Sequence, residues 1–385
     1  MRLKTVYSFI ALLITLSVAS QQKIRIVINS LPSNHPAGSS IFIAGNFNSW
    51  NPQNKSYQFQ KDDKGYFIEL PLNAGAYEYK ITRGGWDKVE STSDGKDIGN
   101  RALKVEGDAT LEVSIAGWKD LFPSSAQVRR STAGRNVQII DTAFFIPQLN
   151  RTRRIWVYLP PTYNSSKKKY PVLYMHDGQN LFDDATSFSG EWGVDEAMDT
   201  LGLKMKECIV VGIDNGGSER LSEYSPYDFR WRVTNADTTV EGAGDKYVQF
   251  LARTLKPFID KKYRTLRKKA NTFTAGSSMG GLISMYALLK YPKVFGGAGV
   301  FSPAFWTAPR IFDDMRARGK KVKAKIYFYA GDEEGETMVP MTLRAFNEMH
   351  RVSKSMMCEV IRAGGKHNEQ RWRMEFPLFY QWMMN

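Results

Sequence analysis

From Lys23 to Trp118 apolar and polar residues alternate with a period of two. Ile24, Ile26 and Ile28 are interleaved with Arg25, Val27 and Asn29; Tyr77, Tyr79 and Ile81 with Glu78 and Lys80; Leu111, Val113 and Ile115 close the series. Turn-forming residues separate the runs at Asp62-Asp63-Lys64-Gly65, Asn73-Ala74-Gly75 and Arg83-Gly84-Gly85. Short alternating strands spaced in this way over about a hundred residues predict a β-sandwich.

Beyond Asn136 the pattern changes. Continuous apolar runs at Val172–Met175, Cys208–Ile213 and Ile326–Ala330 have the character of strands buried on both faces of a parallel sheet. Helical spacing appears between them, as in Gly281–Tyr291 with Leu282, Ile283, Tyr286, Leu288 and Leu289. This alternation predicts an α/β domain, a mostly parallel sheet with helices on both faces, occupying residues 136–385. The stretch 119–135, with Pro123, Ser124, Ser125, Ser131, Thr132 and Gly134, reads as a linker between it and a module at 21–118.

The first twenty residues read as a signal peptide. Arg2 and Lys4 precede a mostly apolar run, Tyr7–Val18, and Val18-Ala19-Ser20 supplies small residues for cleavage. The run is shorter than the ~20 residues of a membrane span. The expectation is therefore a secreted or periplasmic chain beginning near Gln21, with no membrane partner.

Composition narrows the chemistry. The chain has 385 residues, 42% hydrophobic and 24% charged, too apolar for disorder and long enough for two cores. Two cysteines and four histidines give little material for a disulfide framework or a zinc site, so neither metal nor cofactor is expected. The net charge of +14 raises polyanions as partners. No nucleic-acid motif accompanies the basic runs Lys167–Lys169, Lys261–Lys269 and Arg316–Lys325, which read as solvated faces; no nucleic-acid partner is expected.

The reactive chemistry concentrates at Gly276-Ser277-Ser278-Met279-Gly280, a G-x-S-x-G pattern between strand-like Asn271–Ala275 and the Gly281 helix. A serine on such a turn stands exposed above the sheet beside a helix N-terminus, and glycines are needed where side chains would clash. Ser278 is the expected nucleophile; Ser277 is expected to be structural. Its base should follow it in the chain. His350 ends a helix-like run, whereas His367 lies in Gly364-Gly365-Lys366-His367-Asn368-Glu369, a loop after strand-like Glu359–Arg362, and is the expected base.

The acid is sought after Ile326–Ala330, in Gly331-Asp332-Glu333-Glu334-Gly335-Glu336. Glu334 is preferred and Asp332 is second, with Glu333 and Glu336 as solvated charge; the acid's task is to orient the imidazole. For the oxyanion, Met279 follows the nucleophile, and Gln179 lies in the loop after Val172–Met175, with Gly178 leaving room for the backbone to approach substrate. Arg220, near Asp214-Asn215-Gly216-Gly217, is a candidate for an acidic substrate group, and Trp306, beside Phe305, for an aromatic-accepting pocket.

Residues 150–385 resemble the esterase family of α/β-hydrolases that contains feruloyl and acetyl xylan esterases (carbohydrate esterase family 1) and enterobactin-type siderophore esterases. The resemblance rests on the Tyr174–Phe182 strand and loop, Glu191-Trp192-Gly193-Val194-Asp195-Glu196, Glu223-Tyr224-Ser225-Pro226, the Ser278 turn, and Gly365-Lys366-His367-Asn368-Glu369 followed by Trp372. In that family the acid falls three residues after the position of Gly331, which is Glu334. The implied substrate is an acyl or hydroxycinnamoyl ester on plant polysaccharide such as xylan. A siderophore trilactone is the alternative, and a non-catalytic carbohydrate-binding protein is the rival from another class.

Residues 23–118 are similar to starch- and glycogen-binding immunoglobulin-like modules, through Gly45-Asn46-Phe47-Asn48-Ser49-Trp50, Tyr79-Lys80-Ile81, Gly85-Trp86 and Asn100. The resemblance implies sugar contacts from Trp50, Lys80, Trp86 and Asn100. The turn between Lys80 and Trp86 is a residue shorter than in glycogen binders.

Overall fold

The computed structural model describes residues 21–385 except 49, 64, 123–129, 203 and 234–235. The signal-peptide reading of residues 1–20 and the centre of the expected linker lie outside the described residues. The chain divides into two compact units, described in turn.

The first unit is built from β1 (Gln22–Ser30), β2 (Phe42–Gly45), β3 (Gln60–Asp62), β4 (Gly65–Leu72), β5 (Gly75–Thr82), β6 (Glu90–Ser91), β7 (Arg101–Val105), β8 (Ala109–Ser114) and β9 (Gly117–Trp118). One sheet runs β3-β4-β1-β8 and a second β2-β5-β7. Their inner faces share one core in which Ile24, Ile26, Ile28, Tyr79, Ile81 and Val113 are buried. The alternating apolar positions thus point inward, and β1 pairs antiparallel with β4 but parallel with β8.

The second unit opens with an antiparallel pair, β10 (Val137–Ile146) and β11 (Arg151–Tyr158), followed by β12 (Val172–His176), α1 (Val194–Leu201), β13 (Ile209–Ile213) and α2 (Arg220–Tyr224). Strands β14 (Phe229–Val233) and β15 (Ala236–Val240), paired in a sheet of their own, precede α3 (Gly244–Phe250), α4 (Lys256–Lys262), β16 (Thr272–Ser277) and α5 (Met279–Lys290). The remainder is β17 (Gly297–Phe301), α6 (Ile311–Arg318), β18 (Lys325–Gly331), α7 (Met338–Val352), β19 (Met356–Arg362) and α8 (Glu369–Met384).

Eight strands form one sheet in the order β10-β11-β13-β12-β16-β17-β18-β19. Every neighbouring pair from β13 to β19 is parallel. Two apolar clusters cover its two faces, one containing Tyr174, Leu282 and Phe328 and the other Trp192, Phe301 and Phe379. Burial on both faces explains why these strands read as continuous apolar runs. Helix α5 begins at Met279, two residues before the periodicity indicates, because Met279 and Gly280 lie in its first turn, where position is set by the preceding strand. The last part of the expected linker is fastened to the second unit: Ser131 and Thr132 hydroxyls donate to Asp183 and Glu191, and the Gly134 N–H donates to Asp195. Small polar residues there supply donors to buried carboxylates. Among the described residues, no helix is long and apolar enough to cross a membrane.

Candidate active site

Ser278 lies between the last residue of β16 and the first of α5, at φ 58° and ψ −121°, a region that a residue with a Cβ rarely occupies. The turn is held at both its polar atoms: Ser278 N–H donates to Phe301 O at 2.9 Å, and Ser278 O accepts from Ala304 N–H at 3.0 Å. The glycines permit the crossing, since a Cβ on Gly276 would lie 3.0 Å from the Gly280 carbonyl carbon and one on Gly281 2.7 Å from Phe301 O. Ser277 is buried at the end of β16, paired with Phe301.

The parallel pairing of β18 with β19 sets Gly331 against Arg362, so the two following loops start side by side. Glu334 Oε2 then lies 2.7 Å from His367 Nδ1. Its other oxygen accepts from Gly331 N–H at 2.7 Å and from Ser302 Oγ at 2.8 Å, and its side chain is fully buried. Trp372 Nε1 donates to Ser302 Oγ at 2.9 Å, and its ring meets the imidazole edge-on at 5.0 Å. With a carboxylate as partner Nδ1–H is the donor, and Nε2 is the ring nitrogen left outside this bond. Asp332 instead accepts the Gly364 N–H, and Glu333 faces Lys366. Ser302 escaped the sequence reading; its one signal is Phe301-Ser302-Pro303, a strand stop carrying a hydroxyl.

Met279 opens α5, and Gln179 lies in the single helical turn Gly178–Asn180 that follows β12. N–H groups in a first turn lack acceptors within their own helix and are free to face an anion. A Cβ on Gly178 would lie 2.8 Å from backbone atoms of Gly212 and Ile213, so this glycine admits strand β13, whereas an approach to substrate was expected. Arg220, read as a candidate for a substrate acid, has an internal partner: its Nε and Nη2 donate to the two oxygens of Asp177 at 2.7 and 2.8 Å. Burial alone would raise the Asp177 pKa, but Arg220 and Asn215 outweigh it and hold the carboxyl below its usual range. His176 is buried between Tyr247 OH and Thr274 Oγ1, and burial pushes it down to about 4, which makes it a neutral core group.

Trp306 and Phe305 part company: Phe305 is fully buried, whereas Trp306 is 40% exposed. Trp306 lines a groove of about 390 Å³ with Tyr227, Phe229, Pro309 and Arg310. The neighbouring Thr307 hydroxyl reaches Met279 Sδ at 3.5 Å, so the groove adjoins the Ser278 turn.

In the first unit, the Trp50 and Trp86 rings have centroids 6.3 Å apart, and Trp86 is 38% exposed. Lys80 bonds Ile98 O, and Asn100 donates to Glu78 at 2.9 Å, two residues along the same strand face as Lys80. Elsewhere, carboxylates of Glu191, Asp195 and Glu196 converge within 4.8 Å, with Arg373 3.5 Å from Glu191. Burial pushes the Asp195 carboxyl up to about 7.

An eight-stranded, mostly parallel sheet with a serine at a strained strand-to-helix turn and a histidine–carboxylate pair on neighbouring loops defines an α/β-hydrolase. A family model described as "Putative esterase" matches residues 146–380, and the chain belongs to that family.

An uncharacterised protein of Bacillus subtilis (strain 168) is 25% identical over 240 residues, 60% of this chain and 92% of that protein. The endo-1,4-beta-xylanase/feruloyl esterase of Xylanibacter ruminicola is 28% identical over 247 residues, 62% of this chain and 30% of its own. An alpha-amylase of Niallia circulans is 43% identical over 94 residues of the N-terminal part, 24% of this chain and 7% of the amylase. Two solved structures share the fold. One is the BES protein from Bacillus cereus (TM-score 0.55, 16% identity, 66% of this chain and 96% of that one). The other is the enterobactin esterase FES from Shigella flexneri (0.52, 16%, 90% and 87%).

Proposed function

We propose that the protein is an exported serine carboxylic-ester hydrolase that removes acyl or hydroxycinnamoyl groups from plant polysaccharide such as xylan. The observation that carries this reading is the Glu334–His367 hydrogen bond of 2.7 Å on the loops beside the Ser278 turn. Ser278 Oγ attacks the ester carbonyl carbon while His367 Nε2 takes its proton. The C–O bond to the alcohol breaks as His367 returns that proton to the leaving oxygen. Water, deprotonated by the same imidazole, then cleaves the acyl-enzyme and restores Ser278. Glu334 holds the imidazole in the Nδ1–H tautomer and stabilises it when charged. Met279 and Gln179 N–H groups hold the oxyanion.

Trp306 and the groove beside it receive the acyl side, where an exposed aromatic ring suits a hydroxycinnamoyl group. The N-terminal unit acts as an immunoglobulin-like carbohydrate-binding module. Support comes from the amylase similarity over this part of the chain and from the Trp50–Trp86 pair, whose faces stack on sugar C–H surfaces. The decisive experiment compares release of ferulate and acetate from arabinoxylan with cleavage of enterobactin by the same preparation, Ser278→Ala serving as control. Preferential trilactone cleavage overturns the polysaccharide reading in favour of a siderophore esterase. Binding of xylan or glucan with no hydrolysis of any ester overturns the enzyme reading.

A further inference from the structure

The basic runs Lys261–Lys269 and Arg316–Lys325, distant in sequence, meet at the N-terminal edge of the large sheet. Three concavities of about 540, 500 and 510 Å³ adjoin there. The first is lined by Lys256, Lys261, Arg267, Lys269 and Lys293. Lys293 also lines the second, with Arg253, Lys290, Arg318 and Lys321. Lys269 also lines the third, with Lys206, Lys323, Lys325 and Lys354. Lys293 is common to the first and second and Lys269 to the first and third, so the three lie side by side as one basic trough. Lys269 precedes β16 and Lys325 opens β18, whereas Ser278 and Glu334 follow the other ends of those strands. The six residues of β16 separate the two edges by ~20 Å.

The positive charge here is poorly matched. Among the described residues, Asp260 is the one acidic side chain lining any of the three concavities. Only Lys256, Lys290 and Arg318 of the trough reach a carboxylate among the described residues. Lys206, Lys269 and Lys325 turn to neutral oxygens of Asn271, Pro292 and Met383. Burial and repulsion from Lys323 lower the pKa of Lys269, and burial and Lys206 lower that of Lys325. Like charges held this close favour a bound polyanion, which relieves the repulsion.

Shape and residue type narrow the class of polyanion. Lysines that line concavities meet a chain that enters them better than a flat lipid surface. Single-stranded nucleic-acid sites add exposed rings for base stacking. The trough offers Phe273, which is buried, and Tyr291, over which Arg253 already lies at 5.9 Å. Lysine ammonium groups are compact point charges suited to separate carboxylates along a polymer. We infer that this trough binds a carboxylate-bearing polysaccharide and holds the protein on an acidic matrix with the Ser278 edge free. The inference stands apart from the esterase reading.

The test titrates the full chain with polygalacturonate at low and high salt. Lys261→Glu/Lys293→Glu, at two exposed positions of the trough, is compared with Lys96→Glu/Lys104→Glu, which changes net charge equally on the first unit. The trough variant is expected to weaken binding by about tenfold at low salt and the control by less than about twofold. Equal loss in both variants, or no binding by the unmodified chain, overturns the inference. So does tighter binding of duplex DNA or of phosphatidylglycerol vesicles at the same salt. Thermal melting establishes that each variant is folded. Hydrolysis of p-nitrophenyl acetate is expected to be equal in all three proteins, and its absence throughout counts against the Ser278 mechanism alone.

Discussion

Glu334 and His367 meet at 2.7 Å, with the carboxylate fully buried and the imidazole 36% exposed. The buried partner is held by two further donors, Gly331 N–H and Ser302 Oγ, so the exposed imidazole takes its orientation from a group anchored on its other oxygen.

This arrangement separates Glu334 from Asp332. Glu334→Gln is expected to lower kcat for a short aryl ester by about 10²- to 10⁴-fold, because the amide no longer stabilises the imidazolium. Asp332→Asn is expected to leave kcat within about twofold, since its carboxylate accepts the Gly364 N–H at the loop surface and an amide oxygen can do the same. Steady-state kinetics on both variants check it, and equal losses would overturn the assignment of Glu334.

The backbone at Ser278 predicts a trade of stability against activity. Ser278→Gly removes the Cβ from a φ of 58° and is expected to raise unfolding stability by ~1 kcal/mol while abolishing hydrolysis. Ser278→Ala is expected to abolish hydrolysis without that gain. Denaturant unfolding of the two variants measures the difference.

Ser302→Ala removes the acceptor of the buried Trp372 Nε1–H and one of the two donors to Glu334 Oε1, which keeps Gly331 N–H. A loss of ~1–3 kcal/mol in stability is expected, and kcat is expected to fall while KM holds. A change confined to KM would show that Ser302 acts on substrate instead of through Glu334.

Arg220 and Asp177 form a largely buried pair beside the Gln179 turn. Arg220→Met leaves the buried carboxylate with the Asn215 amide but without a charged partner, and is expected to cost ~3–5 kcal/mol. A variant that keeps its stability and only raises KM would return Arg220 to the role of substrate contact.

Asp195 supplies a pH signature. Its carboxyl holds a proton up to about 7 in the folded chain against an ordinary value of 3.8. The folded state therefore binds the proton more tightly than the unfolded one. The stabilisation is complete below the ordinary value and is lost as pH rises toward 7. Asp195→Asn keeps a neutral acceptor for Gly134 N–H, so its melting temperature relative to the unmodified chain should climb across that window. A constant offset would refute the raised pKa.

The turn at Ser278 and the loop carrying His367 are legible in the sequence because their neighbours announce local geometry: glycines around a strand-to-helix turn, and a loop directly after a strand. The inward-facing isoleucines of β1 are legible for the same reason, since a period of two dictates which side of a sheet a residue faces. Among the four acids the sequence could only state a preference. Their spacing is the same in any loop conformation, and the parallel register of β18 with β19 turns Glu334 inward.

Local sequence therefore determined the order and type of the elements, the turn bearing Ser278 and the loop bearing His367, because backbone sterics and hydrophobic periodicity act over a few residues. Tertiary structure alone decided that Arg220 meets Asp177, that Ser302 braces Glu334, that Gly178 accommodates a strand, and that two remote basic runs share one trough. Each of these depends on side chains or backbones brought together by sheet order, and sheet order is a property of the whole chain.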